Sequence, residues 1–139
     1  MSRTCSGHFA VATRSGGHSY AGYSTPSKGL VLDLSRLTTI RATADGMVRI
    51  GAGARLAHVY AALGRIGRCL PGGSCPTVGI GGLTLGGGVG FLTRAHGLTC
   101  DRLVAADVVT PDGVLRHVSA TDEPDLFWAL RGGDPQRWA

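Results

Sequence analysis

The chain has 139 residues, 43% hydrophobic and 17% charged, enough for one domain with a packed core and too apolar for a disordered segment. Its formal net charge of +5 permits an anionic partner, but the 14 Lys and Arg residues are scattered, without interleaved aromatics or zinc-finger spacing, which argues against a nucleic-acid reader. The 23 glycines bunch into a few runs with no three-residue period, so a collagen-like chain is excluded and specific backbone sites are implied.

In chain order, "HFAVAT" at 8–13 offers a first strand, and "RSGGHSYAGYS" at 14–24 follows as a glycine turn. "GLVLDLSRLTTI" at 29–40 reads as a strand and its exit, with Leu30, Leu32 and Leu34 on one face and Val31 on the other. "GMVRIGAG" at 46–53 is a short strand ending in glycines. "ARLAHVYAALGRIG" at 54–67 places Leu56, Val59, Tyr60, Leu63 and Ile66 at helical spacing, with Gly67 as its stop. "LVAADVVTPDGVLRHV" at 103–118 predicts two strands joined at Pro111-Asp112-Gly113. "SATDEPDLFWALRGG" at 119–133 predicts a helix capped by Thr121 or Asp122, with Pro124 in its first turn and Leu126, Phe127 and Leu130 facing inward. Gly132 would end it. Strands and helices mix without a βαβ rhythm, so the expected class is α+β.

The cysteines, Cys5, Cys69, Cys75 and Cys100, form no Cys-x-x-Cys pair, and no Cys/His set has metal-ligand spacing. His96 and Cys100 stand one helical turn apart, too few ligands for a metal site. No signal-peptide core or membrane span is visible, so a reducing, cytoplasmic setting without membrane partners is expected. His58 sits within the apolar-spaced helix, and His96, His117 and Asp101 have no visible partners. Asp107 and Asp112 would serve the hairpin.

The chemistry concentrates in two glycine stretches. "RSGGHS" supplies backbone amides able to cradle an anion, hydroxyls from Ser15 and Ser19, and the Arg14 guanidinium. "LPGGSCPTVGIGGLTLGGGVG" at 70–90 fits neither the dinucleotide fingerprint, whose third glycine would fall at Thr84, nor a phosphate-binding loop ending in Gly-Lys-Ser/Thr. So many glycines suggest extended backbone laid against a large flat ligand. Val78, Ile80, Leu83 and Leu85 argue against a flexible linker.

Together, "RSGGHSYAGYS" and "LPGGSCPTVGIGGLTLGGGVGFLTRAHGLTCD" resemble the berberine bridge enzyme-like branch of the vanillyl-alcohol oxidase superfamily, the PCMH-type FAD-binding flavoproteins. "LVLDLSRL", "VRIGAGARLAHVYAAL" and "VVTPDGVLRHVSATDEPDLFWALRGG" fit the same pattern in order, so the similarity runs over roughly residues 10–133. The resemblance implies a partial PCMH-type FAD-binding domain of two α+β subdomains, 1–41 closing the first and 42–139 forming an incomplete second. It implies FAD tethered twice, His18 to the 8α-methyl carbon and Cys75 to flavin C6. Arg14, Ser15, Gly16, Gly17, His18, Ser19 and Tyr20 would line the pyrophosphate. Ser74, Cys75, Thr77, Val78 and Gly79, with Gly82, Leu83, Gly87 and Gly90, would follow the isoalloxazine and ribityl chain, and Val108 would lie near the adenine.

Those residue types suit the chemistry. Neutral imidazole is a nucleophile for an electrophilic carbon, and cysteine attacks as its thiolate, so a depressed Cys75 pKa is expected. Val78 matches a position beside the oxygen-reactive face of the flavin, where a small side chain would admit O₂. Family members begin with more of the first subdomain and continue into a substrate domain, whereas "GGDPQRWA" breaks the pattern after Gly133. The expected function is the FAD-binding portion of an oxidoreductase that takes hydride from an alcohol, sugar or similar small molecule, with O₂ as acceptor. The alternative is a truncated FAD-binding remnant without turnover. A catalytic base is not assignable.

Overall fold

In the computed structural model, residues 4–5 and 9–132 are described; His8, Gly133 and Trp138 lie outside them. Three small sheets carry the strands. β1 (Thr4–Cys5) pairs antiparallel with β2 (Phe9–Arg14), and β2 pairs parallel with β3 (Gly29–Asp33). β4 (Ile40–Ala42) and β5 (Val48–Ile50) form an antiparallel ribbon, and β6 (Ala105–Val109) and β7 (Leu115–Ser119) form another. The mixture confirms the α+β expectation. In β3 the expected alternation is present: Leu30 and Leu32 share the exposed face, and Val31 is half-buried on the other.

The helix read at 54–67 is α1 (Leu56–Gly64). It buries Leu56, Val59 and Leu63 against Ala54 and Ile80, with Ile40, Val48, Ile50 and Tyr60 packed around them. The chain leaves the helix earlier than Gly67 suggested, and Ile66 is exposed. Gly67 instead takes a left-handed φ of 66° just beyond, after which the Arg68 N–H donates to the Leu63 carbonyl.

The glycine stretch at 70–90 holds a short helix, α2 (Ile80–Leu85), rather than extended backbone throughout. Glycine is a poor helix former, yet Ile80 is anchored in the core, and Gly81 approaches the Ala52 carbonyl so closely that a Cβ would lie 2.8 Å from it. Packing there decides the conformation against propensity. Another short helix, α3 (Thr93–His96), precedes a 3₁₀ turn at Cys100–Arg102.

The second core joins the β6–β7 hairpin to α4 (Pro124–Leu130) through Val118, Phe127 and Leu130, with Leu103, Ala106, Val108 and Leu126 alongside. The turn at Pro111-Asp112-Gly113 forms as expected, with Gly113 at φ 80°. Asp112 holds it by accepting bonds from Thr110 Oγ1, the Val114 N–H and Arg116. The cap of α4 is neither Thr121 nor Asp122. Glu123, at φ 48°, occupies the position, and its carboxylate pairs with Arg116 at 2.8 Å. Pro124 is the first helical residue, where its missing N–H costs nothing.

Leu56→Ala should destabilise the protein by about 2–5 kcal/mol in urea unfolding, the range for removing a fully buried leucine side chain. The Thr110 hydroxyl, the Val114 N–H and the Arg116 guanidinium together lower the Asp112 pKa from 3.8 to about 2. Because the folded carboxyl is the stronger acid, its contribution to stability is complete above the unfolded value and is lost as pH falls through about 2. A carboxyl ¹³C titration should find the Asp112 midpoint near 2, and Thr110→Val should raise it.

Candidate functional site

The start of α1 positions the second glycine loop. Its N-cap residue, Arg55, makes no side-chain capping bond, so the first helical N–H groups need other acceptors. The Leu56 N–H donates to the Val78 carbonyl and the Ala57 N–H to the Pro76 carbonyl, each at 3.0 Å. The loop carrying Cys75 thus serves as the helix cap, and is fixed by the best-buried helix of the chain.

The first glycine loop packs directly on it. A Cβ built on Gly16 would lie 2.3 Å from the Gly79 nitrogen, and one built on Gly79 would lie 2.0 Å from Ser15 Oγ. Only glycine at both positions lets the two backbones touch. The Ala52 carbonyl ties the junction, accepting from Ser15 Oγ at 2.5 Å and from the Gly81 N–H at 3.1 Å.

This contact brings His18, Thr77 and Cys75 together. His18 Nε2 lies 2.9 Å from Thr77 Oγ1, which lies 3.4 Å from Cys75 Sγ, and all three residues are exposed. Hydrogen bonds from the Thr77 hydroxyl, the Thr77 N–H and the Val78 N–H pull the Cys75 thiol below its ordinary pKa, against a smaller opposing effect of burial. Hydrogen bonding therefore shifts the thiol toward its thiolate, the form in which a cysteine is nucleophilic.

The remaining expected site residues divide. Gly17 turns the loop at φ 73°, and Tyr20 is fully exposed. Ser19 Oγ accepts from the Tyr23 N–H. Ser74 and Gly82 are exposed, and a Cβ on Gly82 would meet nothing within 4 Å, leaving room for a ligand. Val78 and Leu83 are half-buried against the α1 core. Gly87 and Gly90 are engaged by the protein itself: the Gly87 carbonyl accepts from the Cys100 N–H, and Gly90 lies against the Gly72 carbonyl. Val108 packs in the second core.

The Arg14 guanidinium bonds Asp33, the residue opposite it in the β2–β3 register, at 2.7 Å, and both side chains stay part-exposed. That pairing, with bonds from Ser35, holds the Asp33 pKa at about 2. Two residues expected to lack partners have them: His117 Nδ1 bonds Asp107 Oδ1 at 2.8 Å, and Asp101 accepts from the Leu98 N–H. His58 is exposed on α1. Sequence reasoning missed the Ala52 carbonyl and the Tyr60 hydroxyl, which donates to the Gly73 carbonyl at 2.6 Å. Tyr60 follows Leu56 by four residues on α1, so helical spacing alone put it on the face toward the loop. No group of three metal-ligating side chains occurs among the described residues, and no described helix is long and apolar enough to cross a membrane.

A family profile described as FAD binding domain matches residues 3–119. Chitooligosaccharide oxidase of Gibberella zeae is 44% identical over 126 residues, which cover 88% of this chain and 26% of that protein. The structure of 6-hydroxy-D-nicotine oxidase from Arthrobacter nicotinovorans superposes with a TM-score of 0.84 at 40% identity, over 88% of this chain and 27% of that one. Glucooligosaccharide oxidase from Acremonium strictum, with its 6-S-cysteinyl, 8α-N1-histidyl FAD, superposes with a TM-score of 0.83 at 40% identity, over 88% of this chain and 26% of that one. The chain spans about a quarter of the length of these relatives.

Gly79→Ala should lower stability by about 1–3 kcal/mol in chemical denaturation, because the new methyl would collide with the Ser15 side chain, held by its bond to the Ala52 carbonyl, and with the Gly16 backbone nitrogen. Gly82→Ala, in open space within α2, should leave stability unchanged or raise it by up to ~1 kcal/mol.

Proposed function

The chain belongs to the FAD binding domain family, and from that premise we propose that it holds the FAD of a flavin-dependent oxidoreductase by two covalent links, through His18 and Cys75. The observation that supports this most directly is the meeting of His18 and Cys75 at one hydroxyl, on two loops whose glycines press backbone against backbone. The relative from Acremonium strictum carries its FAD on one histidine and one cysteine, the same pair of residue types.

The donor set fits such a cofactor. Cys75 offers a sulfur already biased toward the thiolate, and His18 offers an exposed imidazole. Gly82 leaves open space, and the amides of the 15–18 loop supply uncharged donors for a pyrophosphate. Bound FAD supplies a two-electron acceptor for a substrate C–H bond, with O₂ taking the electrons onward. Val78 is half-buried beside the Cys75 loop, and its modest size suits access by O₂. The substrate class is a small molecule with a CH–OH or CH–N carbon, as the relatives named for oligosaccharides and for 6-hydroxy-D-nicotine suggest. Residues 1–41 and 42–139 serve as parts of two FAD-binding subdomains in this reading. A second reading is FAD held without turnover.

The test is acid precipitation of the expressed chain loaded with FAD. Flavin colour should stay in the pellet, persist in each of His18→Ala and Cys75→Ala, and wash out in the double variant. A chain that takes up no FAD would overturn the proposal. Tethered flavin that no sugar, alcohol or amine reduces would select the second reading.

A further inference from the structure

Thr77 stands between the two proposed attachment residues, and its chemistry is restrictive. A hydroxyl carries a single proton, so it donates to one partner at a time and can only accept from the other. When Thr77 Oγ1–H points to a Cys75 thiolate, the bond to His18 must run from Nε2–H to Thr77 Oγ1. When Cys75 keeps its proton and donates to Thr77, the hydroxyl is free to donate to Nε2, and His18 then carries its proton on Nδ1. The distances of 3.4 Å and 2.9 Å permit both chains.

We infer that Thr77 is a positioning residue that couples the protonation of Cys75 to the tautomer of His18, so that the ionised sulfur and a free Nδ1 lone pair arise in the same state. One hydroxyl thereby prepares both attachment atoms and selects Nδ1 over Nε2 for the histidyl link. This deepens the two-link reading and rests on it for its purpose, but the coupling belongs to the protein alone. The three partners sit on loops held from outside the cluster: Ser15 Oγ bonds the Ala52 carbonyl, and the Val78 and Pro76 carbonyls cap α1. Removing the hydroxyl therefore alters the proton chain without removing a packing contact of the core. Thr77 is exposed, and the groups lowering the Cys75 pKa are hydrogen-bond donors of Thr77 and Val78, with no charge among them.

The decisive comparison is Thr77→Val, which keeps the shape and loses the hydroxyl, against Thr77→Ser, which keeps the hydroxyl. The flavin-free chain is used first. Iodoacetamide labelling of Cys75, followed peptide by peptide across pH, should show a higher midpoint in Thr77→Val and a rate at pH 7 lower by ~3-fold or more. Thr77→Ser should return both to wild type. Nitrogen-15 ring shifts at a pH above the measured Cys75 midpoint should show the Nε2–H tautomer in wild type and Thr77→Ser and a mixture in Thr77→Val. An unchanged thiol midpoint and an unchanged tautomer in folded Thr77→Val would overturn the inference. FAD is then added and linked peptides are counted by mass. A wild-type chain that shows the coupling but links no flavin would sink the cofactor reading while the coupling stands. A Thr77→Val chain that links flavin at both residues as fast as wild type would sink the preparatory role of Thr77.

Discussion

The site depends on one contact, the backbone of Gly16 against the backbone of Gly79. Each half of that contact is held from a different side. Gly79 is fixed by the core, because α1 is buried through Leu56, Val59 and Leu63, and its unsatisfied N–H groups take carbonyls of the 76–78 segment. Gly16 is fixed by the parallel β2–β3 pair and by the Ser15 bond to the Ala52 carbonyl. Burying side chains like those of α1 is worth about 1.5–3 kcal/mol each, whereas bonds among the exposed His18, Thr77 and Cys75 contribute far less. The geometry of the exposed cluster is inherited from the core and has little power to create itself.

That hierarchy explains what could be read from the residues. α1 was legible because Leu56, Val59, Tyr60 and Leu63 follow one face of a helix, and the β6–β7 hairpin because Pro-Asp-Gly names its turn. α4 was legible in extent through Pro124, but its cap was not, since a left-handed glutamate leaves no local signature. β4 is three residues long and overlaps the strand and exit read at 29–40 only at Ile40, so that its pairing with β5 alone marks it. The bond between Asp107 and His117 was recoverable once the turn was known, because these residues are direct partners in the hairpin register. The pairing of Arg14 with Asp33 was not, because a parallel register leaves no mark in a single sequence.

The glycines show a similar division. Their density invited one explanation, approach of a ligand, but Gly16, Gly79, Gly81 and Gly90 are required by close approach of the chain to itself. Gly82 fits the ligand explanation, with open space where a side chain would stand. The helix at Ile80–Leu85 went unread for the same reason. Glycine's low propensity describes isolated chains, and here the Ala52 carbonyl and the buried Ile80 override it.

The ion pair at the ends of β2 and β3 has a consequence for recognition. Arg14 and Asp33 cancel one another at the mouth of the "RSGGH" turn, and the carboxylate stays ionised down to about pH 2. On the function proposed above, an anionic group entering that turn would meet backbone dipoles beside a compensated ion pair. Dipolar recognition at contact distance is weakly screened, unlike long-range attraction between free charges, which fades over a Debye length of about 8 Å at physiological ionic strength. On that proposal, the basic character of the whole chain and the anion affinity of this turn would be separate properties, with ionic strength acting mainly on the first.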